Sequence, residues 1–153
     1  MNQSELSWTC SQFEELSTDQ LYRILQLRAE VFVVEQNCVY QDVDGYDHQA
    51  FHISGQLENQ LVCYSRLLPP GAKYTNASIG RVVTKNNIRG GGLGKVLMQK
   101  SISHCQQKWP VHGITISAQQ YLESFYAALG FSTESEPYME DNIPHIEMQL
   151  AAT

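Results

Sequence analysis

The chain has 153 residues, 42% of them hydrophobic and 17% charged, with a formal net charge of -6. That length suits one domain with one core, residues 1–153, and that composition belongs to a globular rather than a disordered chain. The acidic balance excludes the clustered Lys and Arg that nucleic acid and anionic membranes require, and no segment approaches the ~20 apolar residues that span a bilayer, so a soluble cytoplasmic protein is expected.

In chain order, Ser17-Thr18-Asp19-Gln20 reads as a capping box, followed at helical spacing by Leu21, Ile24, Leu25, Leu27, Arg28 and Val31. The expectation is a helix from about Thr18 to Val34. Residues 37–48 carry Asp42, Asp44, Gly45 and Asp47 and read as a loop. Ala50 to Gln56 and Leu61 to Leu68 read as two strands of a hairpin, and Ala77 to Thr84 as a third strand. A glycine-rich turn then leads into a helix from Leu93 to His104. Ile114 to Ala118 is a strand, Tyr121 to Leu129 a short helix stopped by Gly130, and Ile143 to Leu150 a last strand. The sum is an α/β or α+β chain, a hairpin first and strand–helix units later.

The turn Arg89-Gly90-Gly91-Gly92-Leu93-Gly94 follows a strand and opens a helix. Glycines let successive N–H groups converge without Cβ interference, and a helix start adds unpaired donors and a positive dipole end. A diphosphate is the natural guest, with Arg89 and Lys95 adding charge at the rim. A nucleoside-triphosphate loop would need Gly at 89 and Ser or Thr at 96, where Arg89 and Val96 stand; a dinucleotide fingerprint from Gly90 would need Gly or Ala where Lys95 stands.

Arg89, Gly92 and Gly94 do satisfy R-x-x-G-x-G, and this segment resembles the pyrophosphate loop of GNAT acetyltransferases. Phe125-Tyr126-Ala127-Ala128-Leu129-Gly130-Phe131 resembles the F-Y-x-x-x-G-F segment of that superfamily's last helix. Val31 to Gln36, Tyr40 to Asp44, Gly80-Arg81-Val82 and Ile143 to Ile146 look like its ElaA subgroup. The resemblance implies a central mixed sheet splayed in its middle, flanked by helices, with coenzyme A entering the splay. The acceptor amine would approach from the first helix and its loop. It implies acetyl-CoA as the acetyl donor, bound by Val82, Val83 and Thr84 along the pantetheine arm and by Arg89, Gly90, Gly91, Gly92, Leu93, Gly94 and Lys95 at the pyrophosphate. Transfer to a primary amine would run by direct attack in a ternary complex.

Under that reading Tyr126 is the general acid for the leaving thiolate, its phenol being protonated at neutral pH. The base lies between Glu35, at an apolar helix end, and His145, on the last strand. Asp42, Asp44 and Asp47 with Glu35, Glu134, Glu136, Glu140 and Asp141 form either an acidic rim favouring a cationic amine or a solvated surface, and Arg66 and Arg81 are available to pair with them. The acceptor is a small-molecule or protein amine. No metal is expected: His48 and His52 sit on a strand pattern that separates them, and the aspartate loop has Ile53 where a calcium loop needs Glu. Cys10, Cys38, Cys63 and Cys105 lack metal spacing and read as reduced structural thiols. The rival function is a non-catalytic acyl-CoA-binding module.

Overall fold

A computed structural model describes residues 5–153. Strand β1 (Ser7–Gln12) is followed by α1 (Thr18–Arg28), which runs into a π-helical segment (Ala29–Glu35), and then by β2 (Phe51–Leu57), β3 (Gln60–Leu68) and β4 (Ala77–Thr84). Helix α2 (Leu93–Lys108), β5 (Ile114–Gln119), α3 (Glu123–Ala127), β6 (Ser132–Thr133), β7 (Tyr138–Glu140) and β8 (Ile143–Leu150) complete it. The strands form one mixed sheet in the order β1-β2-β3-β4-β5-β8-β6, with β7 paired to β8.

The local signals account for most boundaries. Gln20 N–H donates to Ser17 Oγ (3.0 Å) and Ser17 N–H to Gln20 Oε1 (2.8 Å), the reciprocal cap expected at the start of α1. Glu58 and Asn59 both take positive φ (51° and 64°), the two-residue turn whose twist matches a β2–β3 hairpin. Helix α1 departs from expectation at its end. From Ala29 the pitch widens, and Gln36 and Cys38 N–H donate to the carbonyls of Val31 and Val33, five residues back. Val31, Val33 and Val34 are β-branched and crowd a regular α turn; π turns recur where a helix must re-aim side chains at a site.

Adjacent residues on β4 belong to different cores. Val83 packs with Ile24, Leu27, Val31, Leu61 and Tyr64 under α1, whereas Val82 packs on the larger cluster that includes Leu93, Leu97, Met98 and Tyr126. Strand alternation thus places α1 and α2 on opposite faces of the sheet.

The middle of the sheet is open. β4 and β5 are parallel but pair only at Ala77↔Ile114 and Ser78↔Thr115. Beyond Ser78 they diverge, leaving Ile79 to Thr84 without a strand on that side. On its other side β4 carries a bulge: Tyr64↔Val83 is followed by Arg66↔Gly80, so Arg81 and Val82 oppose Ser65 alone, and Arg81 adopts φ 50°.

The aspartate loop is clamped inward, so its carboxylates form neither an acidic rim nor a solvated surface, and Arg66 and Arg81, read as available to pair with them, do so. Arg28, fully buried, holds Asp42 Oδ2 and Asp47 Oδ1, each at 2.8 Å, and donates to the Asp42 carbonyl (3.0 Å). Arg66 grips both Asp44 oxygens (2.7 and 2.9 Å) and reaches Asp47 (3.1 Å); Arg81 pairs with Asp42 (2.7 Å) and Asp44 (3.2 Å). Three guanidiniums meet three carboxylates because buried charge is tolerated only when paired. The loop thereby fixes Arg81, and with it the bulge.

Acid should undo this clamp in a defined window. Burial alone would raise the Asp44 carboxyl, but hydrogen bonds and charge from Arg66 outweigh it and hold it at about 2; Asp47 is lowered in the same way by Arg28 and Arg66. Folded values below unfolded ones give stability that is full above about pH 4 and lost as the pH falls toward 2. His52 adds a smaller step. Its Nε2–H donates to the Asp47 carbonyl (2.9 Å) and its Nδ1 accepts from the Tyr64 hydroxyl (2.7 Å), while burial lowers its pKa. Only the unfolded chain then takes up a proton just below about pH 6.5, so stability begins to fall there. Melting temperatures measured from pH 8 to 2 should stay level to about pH 7, dip below 6.5 and drop steeply below 4. His52→Gln should shrink the first step, leaving the part that His104, also lowered by burial, contributes; a single steep transition in wild type near pH 6 would contradict this account.

Candidate functional site

The divergence of β4 from β5 opens a cavity of about 390 Å³. One wall is Ile79 to Thr84; the other is Ile116, Ser117 and Gln119 of β5 with Leu122, Phe125 and Tyr126 at and before α3. Arg89 and Gly94, and Glu35, Tyr40, Glu140, Asp141 and His145, also line it.

At the glycine turn Gly92 is the N-cap of α2 with φ 80°, a left-handed conformation, and Gly90 has φ 91°. Gly92 has no side chain to cap the helix, so the N–H groups of Leu93, Gly94 and Lys95 face outward as helix geometry leaves them. Leu93 is buried in the core at 2% exposure, so only its backbone is available to a ligand. Lys95 is exposed and does not line the cavity.

Arg89 ties the glycine turn to β4 and to the π-helical segment. Its Nε and Nη2 donate to the Thr84 carbonyl (3.1 and 2.9 Å), and its Nη1 pairs with Glu35. Lys85 N–H donates to Val62 on β3 (2.8 Å), so strand alternation turns Thr84's groups to the open edge of β4. Glu35, one of two residues read as a base, is thus held by a guanidinium.

Tyr126 is buried at 7% exposure, its ring edge-on to Phe125 and Phe131 at 5.1 and 6.1 Å. Burial, reinforced by Tyr121, pushes its phenol up to about 12. Among the described residues none hydrogen-bonds its hydroxyl, which borders the cavity. His145 lies on β8 opposite Gln119, the last residue of β5. Its Nδ1 donates to the Ile143 carbonyl (2.7 Å), and its Nε2 is 3.3 Å from Glu140 Oε2.

The cavity therefore brings together Glu35, Val82, Val83, Thr84, Arg89, Gly94, Tyr126 and His145. Gly90, Gly91, Gly92, Leu93 and Lys95 stand at its edge, in the turn and first helical residues beside Arg89 and Gly94. Tyr40 enters the sequence reading only as the start of a family-like segment, Ser117 carries no signal there, and Glu140 stands only among surface acids. The Asp141-Asn142 pair, both at positive φ, was the available signal for a β7–β8 hairpin that sets Tyr138 opposite His145. Glu134 and Glu136 do not line the cavity.

Among the described residues, no three His, Cys, Asp or Glu side chains cluster as a metal site, and no helix is long and apolar enough to cross a membrane. Residues 14–152 match the family model described as an acetyltransferase (GNAT) domain. Protein ElaA of Escherichia coli K12 is 43% identical over 145 residues, 94% of this chain and 95% of that protein. The crystal structure of an acyl-CoA N-acyltransferase from Pseudomonas aeruginosa superposes with a TM-score of 0.92 at 42% identity, over 95% of this chain and 99% of that one. That of Escherichia coli ElaA superposes at 0.90 with 41% identity, over the same shares.

Proposed function

The chain belongs to the GNAT acetyltransferase family, and we propose that it transfers the acetyl group of acetyl-CoA to a primary amine by direct attack within a ternary complex. The observation that carries this reading is the open edge of β4, Ile79 to Thr84, lining one cavity with Arg89, Gly94, Tyr126 and His145. An extended pantetheine arm fits there as an added strand along Val82, Val83 and Thr84, with Thr84 turning its backbone groups to it. The turn from Arg89 through Gly90, Gly91, Gly92 and Leu93 to Gly94 and Lys95 receives the pyrophosphate on outward N–H groups.

Two features divide the work. The bulge at Arg81 and Val82 interrupts the β3–β4 ladder, and a strand N–H there would receive the thioester oxygen as negative charge develops on it. Tyr126 stands where the sulfur departs and supplies its proton. For the base, the geometry favours His145 over Glu35. Glu35 is bound to Arg89, whereas His145, with Nδ1–H fixed on Ile143, presents Nε2 to Glu140, which also lines the cavity. Glu35, Glu140 and Asp141 all line the cavity, and their negative charge favours a cationic acceptor. The reaction is proposed for the cytoplasm, where acetyl-CoA is available and the four cysteines stay reduced.

Calorimetry with acetyl-CoA, followed by free-thiol release across a polyamine, an amino sugar, simple alkylamines and a lysine peptide, tests the proposal. Binding with turnover on at least one amine is expected. Tight binding with no turnover on any would mark a non-catalytic acyl-CoA-binding module instead.

A further inference from the structure

The β7–β8 hairpin is joined by Asp141 and Asn142 at φ 51° and 63°, a two-residue turn that fixes Tyr138↔His145 and Glu140↔Ile143. That register brings Glu140 Oε2 to 3.3 Å from His145 Nε2. A carbonyl only accepts, so the 2.7 Å bond between His145 Nδ1 and the Ile143 oxygen assigns the Nδ1 proton. When the ring is neutral, Nε2 is therefore a bare lone pair facing a carboxylate oxygen. Two acceptors at that distance need a donor between them. Either the ring carries a second proton, or an incoming group brings its own.

The rest of the corner holds Glu140 in place without neutralising it. Tyr138 O–H and Ser117 Oγ–H form a chain that ends on Glu140, with Ser117 Oγ 3.4 and 3.5 Å from its two oxygens. The Tyr138 ring stacks on that of His145 at 6.3 Å. Among the described residues Glu140 has no cationic partner except His145, and its side chain is 42% exposed where it lines the cavity.

We propose that Glu140 and His145 Nε2 together receive the acceptor ammonium, Glu140 holding its charge and His145 taking its proton. This rests on the acyl-transfer reading above. The ammonium donates one N–H to Glu140 and one to Nε2. Proton transfer to Nε2 leaves a neutral amine, whose lone pair forms the C–N bond to the thioester carbon. The C–S bond then breaks and the thiolate takes the Tyr126 proton. The nitrogen's second surplus proton restores the phenol, and the imidazolium proton leaves for solvent. Amide, free thiol and one proton are the products.

The test uses acetyl-CoA with n-butylamine, 2-methoxyethylamine and 2,2,2-trifluoroethylamine, primary amines of falling basicity, the last largely neutral at pH 7. Glu140→Gln should raise KM for n-butylamine about tenfold, as loss of a charge-assisted hydrogen bond does, with KM for acetyl-CoA unchanged and trifluoroethylamine little affected. His145→Gln should lower kcat about 10²-fold with n-butylamine and far less with trifluoroethylamine, which has no proton to lose before attack. Penalties equal across the three amines, or an unchanged KM in Glu140→Gln, would overturn this inference and leave the acyl-transfer reading standing. A wild-type protein that binds acetyl-CoA but acetylates none of the amines would overturn both.

Discussion

Replacing Tyr126 by Phe should lower kcat for acetyl transfer about 10²-fold while leaving KM for acetyl-CoA and for the amine nearly unchanged. Phe keeps the ring, and with it the edge-on contacts to Phe125 and Phe131, so the core it completes should persist. Only the hydroxyl is lost. A phenol at about 12 is a poor acid toward an ordinary thiolate in water, whose conjugate thiol lies near 8.5. Burial changes that comparison. In this protein desolvation pushes the buried thiols of Cys63 and Cys105 up to about 12, where Tyr126 also stands. A sulfur leaving beside the buried Tyr126 would be raised in basicity by the same kind of desolvation, which narrows its gap to the phenol. Stopped assays of free thiol, with the fold checked by circular dichroism, measure the effect. An unchanged kcat would reduce Tyr126 to a core aromatic.

Features that depend on neighbouring residues were legible before the structure. The Ser17 cap, the strand Ala77 to Thr84, the start of α2 at Leu93 and the strand Ile143 to Leu150 coincide with the observed elements, because capping and periodicity act within a few residues. The mixed sheet with flanking helices follows from their order and from the family resemblance. β1 escaped notice although Trp8 and Cys10 alternate with polar neighbours, because six residues at an edge carry a weak signal. The π segment depends on carbonyls five residues away and left only a run of valines as a clue.

The aspartate loop shows where sequence reading stops. Its spacing of Asp42, Asp44 and Asp47 is the same whether the carboxylates face water or the interior. What decides is the position of Arg28, Arg66 and Arg81, on three elements that only the fold brings together. Glu140 was obscure for the same reason: its value lies in the strand register that sets it beside His145.

That clamp carries the second large effect. Arg28→Met should destabilise the protein by about 3–5 kcal/mol, because Asp42 and Asp47 stay buried and lose their innermost partner. Such a loss is a large part of the ~5–15 kcal/mol that holds a domain together, and it should lower the melting temperature by roughly 10 °C or more. An exposed pair gives the scale. Arg23→Ala, which breaks the Arg23–Asp19 bridge at 45% and 71% side-chain exposure, should cost under about 1 kcal/mol. Urea denaturation of the two variants decides; similar midpoints would mean that Asp42 and Asp47 rest adequately on Arg81 and Arg66 alone. The functional consequence should be uneven. Asp42 also holds Arg81 at the β4 bulge, where the thioester oxygen is proposed to be received, whereas the turn proposed for the pyrophosphate depends on Gly92 and α2. Arg28→Met, assayed well below its melting point, should therefore lose acetyl transfer more than acetyl-CoA binding, because the loop it loosens steadies the reacting centre and not the cofactor's anchor.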